Sequence, residues 1–491
     1  MNRVVLQGVW ADDSNAGACA KFGARSVDGF VARPGQTRIE DVDGEVVCFT
    51  GLGSRASGTA ADLRMAARAG ARRISRALPA RSPERAAVDL VVDVDSFLNP
   101  RTAPAAALRS AVLAGASEGG YEFQMLDAVT HLSSTLGVSV RRPDGTAMQA
   151  PVLELALAHA VAGARDLVNL PASALTPTGF ADRAAELLLP LGVNVARRDA
   201  AELEAQGFGG ITAIGKGADN PPVLLELAFG EESPTCTFVG KGVTYDSGGL
   251  SLKPPDALMD MKSDMAGAAA LVAVFSVLPQ FAPGSSFRAV IALVENMPGP
   301  RSVRPGDVVV LRNGSTLEIL NTDFEGRVIL ADSLALAAES CPAAIVDLAT
   351  LTYAANHALG SRYAAMVASD ERLAELLIDA GKQSGDLVWG MPLQPELEEQ
   401  IRSDVADYKN FPGTAEARVS TAALFLHQFV GGIPWAHIDM AGPAFKTSAD
   451  AFSASGGTGF GVRLLTEFIA RGGAGRRCPP DTRRQGDLAG S

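Results

Sequence analysis

The segment CTFVGKG (236–242) reads as a buried strand, and it runs into VTYDSGGLSLKP (243–254), a glycine-rich loop carrying Asp246 and Lys253 just beyond Lys241. Open α/β sheets gather their ligands at the carboxyl ends of strands, so this junction is the natural place to look for chemistry. Moving outward, KSDMAGAAALVAVFSVL (262–278) is a small-residue helix and FRAVIALVE (287–295) a strand. GDVVVL (306–311) turns at Asn313-Gly314 into STLEILN (315–321), the signature of a hairpin. GRVILADSLALAAES (326–340) is helical, and AAIVDLATL (343–351) is again a buried strand. Continuous apolar strands separated by helices predict a central, mostly parallel sheet covered on both faces.

The first third alternates in the same way. EVVCFTGLG (45–53) and AAVDLVVDVD (86–95) read as strands, and AADLRMAARAGARRISRAL (60–78) and RTAPAAALRSAVLAGASEG (101–119) as helices. PVLELALAHAVAGARDLVN (151–169) is a long amphipathic helix stopped by LPASALTPTG (170–179), rich in turn residues. The expected organisation is an α/β domain over 1–150, a linker helix over 151–170, and a C-terminal α/β catalytic domain over 171–471. The tail, 472–491, loses its apolar periodicity and is expected to be disordered.

The composition, 47% hydrophobic and 20% charged over 491 residues, suits a globular enzyme. A net charge of −12 without a basic stripe argues against nucleic acid as a partner. No apolar run reaches the roughly 18–20 residues of a membrane helix, so no membrane partner is expected. The N-terminus meets acidic residues too early for a signal peptide. Five scattered cysteines without a CxxC pair fit reduced thiols, and a cytoplasmic location is expected. Five scattered histidines form no HExxH or HxH, so a metal site here must be carried by carboxylates.

Four carboxylates stand out. Asp246 lies in the glycine-rich loop, which lacks the GxxxxGK[ST] of a phosphate loop and on its own could be a structural turn. Asp264 lies near a helix start, where a lone Asp also serves the helix dipole. Asp323 and Glu325, in NTDFEGR (321–327), are two apart; in an extended stretch they face the same way. Close carboxylates need either a shared proton or a cation between them. Taken together with Lys241, Lys253 and Arg327, the four can hold two cations about 3.5–4 Å apart. Oxygen-rich ligation fits zinc, manganese, magnesium or cobalt without choosing among them. His357 and His437, near apolar strands, read as packed residues rather than ligands.

NTDFEGRV resembles the NTDAEGRL signature of the leucyl (cytosol) aminopeptidase family. GKGVTYDSGGLSLKP, MKSDMAGAAA, LATLT (348–352), SDVADYKN (403–410), WAHIDMAG (435–442) and VNLPASALTP (168–177) extend the likeness over 168 to about 470. The resemblance implies a two-domain α/β fold with a macro-like domain first and the catalytic domain second. It implies a metal-dependent hydrolase that removes the N-terminal residue from unblocked peptides or dipeptides, commonly as a homohexamer. In this reading Asp246 and Glu325 bridge two divalent metal ions, zinc or manganese before magnesium or cobalt. Lys241, as a neutral amine, and Asp264 complete one shell, and Asp323 the other. Lys253 polarises the scissile carbonyl, and Arg327 anchors a bicarbonate that serves as general base. Met261, Phe324, Thr350 and Tyr353 fall at the substrate pocket.

Two of those pocket positions depart from the family. Phe324 stands where the motif has Ala, and Tyr353 where Gly is usual. Compensated packing is one explanation; a pocket narrowed to one dipeptide or amino-acid conjugate is the other. GGTGFGVRLL (456–465) lacks the family's usual Arg-Pro, so contacts expected there change as well. A non-catalytic scaffold or DNA-binding regulator is the remaining alternative, disfavoured by the intact acidic set and the charge.

Overall fold

The computed structural model describes residues 3–13, 30–56, 58–78, 88–99, 104–125, 131–134, 136–141, 144–230, 234–451 and 453–473. Most of the expected tail lies outside the described residues. The chain builds two α/β layers, each around its own sheet.

The first sheet has six strands in the order Thr37–Val42, Glu45–Gly51, Arg3–Val9, Asp89–Asp93, Gly137–Arg141, Ala147–Gln149. Its four inner strands run parallel and its two edge strands antiparallel. The helix Ala60–Ala77 starts at a capping box, in which Thr59 and Asp62 each satisfy the other's backbone N–H. It packs with Ala105–Gly119 over the Val- and Leu-rich strands.

The second sheet has eight strands. Its order is Leu387–Gly390, Tyr363–Ala368, Trp435–Asp439, Ala344–Ala349, Cys236–Asp246, Phe287–Asn296, Val223–Phe229, Asn194–Arg198. The four central strands, Trp435–Asp439 through Phe287–Asn296, are mutually parallel. Side-chain alternation splits the core into two layers. Along Phe287–Asn296, Ala289, Ile291 and Leu293 join the cluster under the helices Pro177–Leu188 and Ala266–Phe281, while Val290, Ala292 and Val294 face Glu325–Glu339 in the other. The period of two explains why the strand is apolar throughout.

The strand at 236 does not stop at Gly242. It continues to Asp246, with Val243, Tyr245 and Asp246 paired to Val294, Glu295 and Asn296 across a register shift. Asp246 therefore stands on the same strand as Lys241 rather than in a loop. Gly240 is needed there because a Cβ would lie 2.9 Å from Leu271 Cδ1 and 3.2 Å from the Ala268 Cα of the covering helix. The chain leaves this strand for Phe287–Asn296 on one side and reaches Ala344–Ala349 on the other. Its carboxyl end is thus the switch point where ligands bind in such sheets.

The helix Val152–Asn169 connects the two layers and touches both. Arg165, 1% exposed, donates from Nη1 to the Glu118 carbonyl and from Nε to the Gly457 carbonyl, and its guanidinium stacks 3.7 Å over Tyr121.

Candidate active site

A cavity of about 180 Å³ opens at this switch point, and all eleven residues singled out from the sequence line it. Asp246 closes its strand, fixed by Asn296 Nδ2 and the Gly248 N–H on Oδ1 at 2.8 and 2.9 Å. Lys241, five residues earlier on the same strand, reaches Asp264 Oδ1 at 2.7 Å, Glu325 Oε1 at 2.8 Å and the Thr350 carbonyl at 2.9 Å. Lys253 reaches Asp246 Oδ2 at 2.8 Å and also pairs with Asp323. One oxygen each from Asp246, Asp323 and Glu325 lies within 4.8 Å of the others.

Asp323 and Glu325 converge by a different route from the extended stretch expected. Residues 322–323 form a turn in which the Asn321 side chain accepts from the Asp323 N–H at 2.8 Å. Phe324 (φ −106°, ψ 36°) then leads into a helix whose first residue is Glu325. The turn, not a strand pleat, aims both carboxylates inward. Gly326 follows because a Cβ there would sit 2.6 Å from Lys241 Cε.

Four carboxylates are packed around two ammonium groups, and burial acts on all of them. Burial, then Glu325, raises the Asp246 carboxyl against the pull of Lys253 and Lys241. Burial likewise raises Asp264 and Asp323. Burial acts upward on Glu325 as well, but Lys241 and Lys253 outweigh it and hold it low. Burial works to lower both ammonium groups, and the surrounding carboxylates overcome it, so both rise. Lys241 thus keeps its proton in the chain alone; the neutral amine expected of a ligand requires added positive charge beside it.

The residues fit divalent cations. Asp264 Oδ2 and Glu325 Oε2 are buried and accept no hydrogen bond, the state of a carboxylate oxygen left for a ligand. The cavity offers carboxylate and amine donors and contains no His or Cys, which suits the four metals considered and no thiolate centre.

Around this acidic cluster lie the groups expected to meet substrate. Arg327 is 3% exposed, and burial brings its guanidinium down to about 10, still protonated at neutral pH. It stacks 4.6 Å over Phe324, whose ring meets Phe411 edge-on at 5.0 Å. Tyr353, 52% exposed, stands at the rim with Lys253 5.6 Å above its ring. Met261 and Thr350 also line the cavity, and the Thr350 hydroxyl donates to Asp264 Oδ1 at 2.6 Å, so it touches an acidic ligand candidate too.

Several contributors carried no signal of their own. Asn296 is the last residue of a strand, and only the parallel register shows that it orients Asp246. Arg418, Asn356 and Phe445 join the lining from segments distant in the chain. Thr458, Gly459 and Phe460, in the segment lacking Arg-Pro, line a separate cavity beside Arg64 and Arg68. His437 is packed as expected, its Nδ1 2.5 Å from Asp347, whereas His357 is exposed on the short helix Tyr353–Leu359, which leaves no packed role for it.

Residues 162–466 match the family model of the cytosol aminopeptidase family, catalytic domain. The chain belongs to that family. A protein described as a probable cytosol aminopeptidase from Syntrophotalea carbinolica is 36% identical over 488 residues, 95% of this chain and 96% of its own. Another, from Roseiflexus castenholzii, is 42% identical over 318 residues, 64% of this chain and 65% of its own. Among solved structures, the bottromycin maturation enzyme BotP in complex with Mn superposes with a TM-score of 0.83 at 40% identity, covering 96% of this chain and 99% of that one. The cytosol aminopeptidase of Coxiella burnetii gives 0.80 at 29% identity, covering 96% and 97%. The two-layer α/β architecture is shared with these structures, and the chain is a hydrolase of the metal-dependent aminopeptidase class.

Proposed function

We propose that this chain removes the first residue of unblocked peptides or dipeptides with two divalent cations held by Lys241, Asp246, Asp264, Asp323 and Glu325. The observation that carries the reading is the buried acidic cluster around two lysines, with carboxylate oxygens of Asp264 and Glu325 left unbonded. Cations bound there would supply Lewis acidity toward a peptide carbonyl and lower the pKa of water to near neutrality. Manganese is supported by the similar Mn-bound structure; zinc, magnesium and cobalt suit the same donors.

The chain's own residues then have separable tasks. Lys253 keeps its proton and aims it at the oxygen that becomes negative in the transition state. Asn296 and the Gly248 N–H hold Asp246 in one orientation. Arg327, buried yet charged and without a carboxylate partner among the described residues, suits a small anion such as bicarbonate, which would serve as general base. A free α-amine is required because it completes the acidic site, and a blocked N-terminus cannot.

A second reading, a hydrolase dedicated to one dipeptide or conjugate, is favoured by Tyr353 at the rim and by the likeness to a maturation enzyme. A panel of free dipeptides separates the two. Turnover of leucyl, methionyl and alanyl substrates within about tenfold of each other supports the broad enzyme. Cleavage of one substrate alone supports the dedicated one, and cleavage of N-acetylated peptides contradicts both. The proposal extends to a cytoplasmic homohexamer, checked by light scattering on the eluted protein. Among the described residues no helix is long and apolar enough to cross a membrane.

A further inference from the structure

Arg418 is the one basic residue lining the active-site cavity that the two-cation reading leaves without a task. It opens the helix Arg418–His427, directly after Ala417, a non-glycine residue held at φ 47°. A left-handed alanine costs on the order of 1 kcal/mol, so the backbone is committed to presenting the next side chain where it stands. The helix has no side-chain cap at this end, so its positive pole also faces this region. The guanidinium is tethered through Nε to the Thr414 carbonyl at 3.1 Å and lies 5.7 Å from the Phe324 ring centre. No Asp or Glu among the described residues pairs with it.

Phe324 therefore has two guanidinium groups stacked around it, Arg327 at 4.6 Å and Arg418 at 5.7 Å. Two like charges sharing a ring are costly unless an anion joins them. Lys253 and Tyr353 stand together at another part of the cavity. With the carboxylates engaged by cations and a small anion at Arg327, Lys253 and Arg418 are left as positive groups facing the substrate space.

We infer that Arg418 binds a carboxylate on the residue that follows the scissile bond, making the Phe324 side of the cavity the leaving-residue subsite. A peptide lying across the acidic cluster, its first side chain toward Tyr353, sends the next residue toward Phe324. Consecutive residues advance about 3.3–3.6 Å along an extended chain, and Phe324, directly before Glu325 in the chain, brings Arg418 to the edge of the acidic cluster. The carboxylate has two sources: the free C-terminus of a dipeptide, or an Asp or Glu side chain in a longer peptide. An aromatic platform with a charged fork is suited to hold either one. This inference rests on the proposed aminopeptidase reading and deepens it.

The test compares Leu-Ala, Leu-Ala-amide and Leu-Asp-amide on the Mn-loaded full-length enzyme. The expected result is that kcat/KM for Leu-Ala exceeds that for Leu-Ala-amide on the order of tenfold, mostly through KM, as a charge-assisted bond supplies. A preference for Leu-Asp-amide as well assigns side-chain recognition; its absence confines the site to free C-termini. In Arg418→Gln the ratio falls to near one, and Arg418→Lys keeps part of it. Because each ratio is internal to one protein, a partly folded variant still reports. Calorimetric binding of Leu-Ala against its amide to the same proteins gives a second readout that does not need turnover. Carboxylate-selective binding without hydrolysis would strike at the aminopeptidase reading alone. A wild-type enzyme indifferent to the carboxylate, or a preference surviving in Arg418→Gln, overturns the inference.

Discussion

Lys253 touches Asp246 and Asp323 on one side and faces Tyr353 on the other, so it links the acidic cluster to the substrate space. If it stabilises the developing oxyanion, Lys253→Met lowers kcat by about 10²–10³-fold with a far smaller change in KM, read by steady-state kinetics. A variant that raises KM alone would make Lys253 a binding group only. Tyr353 is the steric half of the same argument. Tyr353→Gly should raise kcat/KM for leucyl relative to alanyl substrates by about tenfold, the usual reach of pocket volume. At this scale the acidic residues were legible because each sits inside a contiguous motif. Arg418 and Asn296 were not, since their positions depend on where distant segments end against Phe324 and Asp246.

Among the elements, the strand Cys236–Asp246 and the helix Ala266–Phe281 must approach closely for Lys241 to meet Asp264. Gly267 permits this: a Cβ there would lie 3.3 Å from the Lys241 backbone nitrogen and 2.2 Å from the Leu348 carbonyl oxygen of the neighbouring strand, backbone atoms that cannot swing away. Gly267→Ala should therefore cost about 1–3 kcal/mol through overpacking, seen as a lower thermal midpoint, and an unchanged midpoint would show that the layers can separate freely. The apolar periods marked the central strands and helices to within a few residues, because burial on both faces leaves a continuous signal. Glycine-rich composition disguised the second half of the Cys236–Asp246 strand as a loop. Here glycine serves close packing, not turning, and only the covering helix reveals it. The Thr322–Asp323 turn was misread for the converse reason: a span that short fits strand and turn alike.

Over the whole molecule, the two layers are joined by a buried charge cluster. Glu118, on a helix of the first layer, bonds with Arg64 of its neighbour helix and with Arg463 from the last helix of the second layer. Burial alone would raise its carboxyl, but Arg64, Arg463 and Arg68 outweigh that and hold it well below the usual carboxylate range. A depressed acid contributes stability that is present above the unfolded value, near 4.3, and is lost as pH falls through the folded one. The thermal midpoint of the wild type should thus fall on acidification below about pH 4, and Glu118→Gln should show less of that fall. At neutral pH the same variant leaves Arg463 without a carboxylate partner among the described residues and should cost about 3–5 kcal/mol. A flat comparison would mean the layers are held by packing alone. No sequence pattern pointed to this joint, because Arg64, Glu118 and Arg463 are far apart in the chain and ordinary helix-surface residues in isolation.

The proposed activity stands or falls with two catalytic cations in the acidic cluster. The direct measurement strips the protein with a chelator, confirms its fold by circular dichroism, and titrates Mn²⁺ back. Bound metal per chain and release of leucine from an unblocked peptide are followed together. The expected result is no turnover in the stripped protein, full turnover as two ions per chain are reached, and neither full loading nor recovery in Glu325→Ala. Full activity in the stripped protein, or in Glu325→Ala, would contradict it.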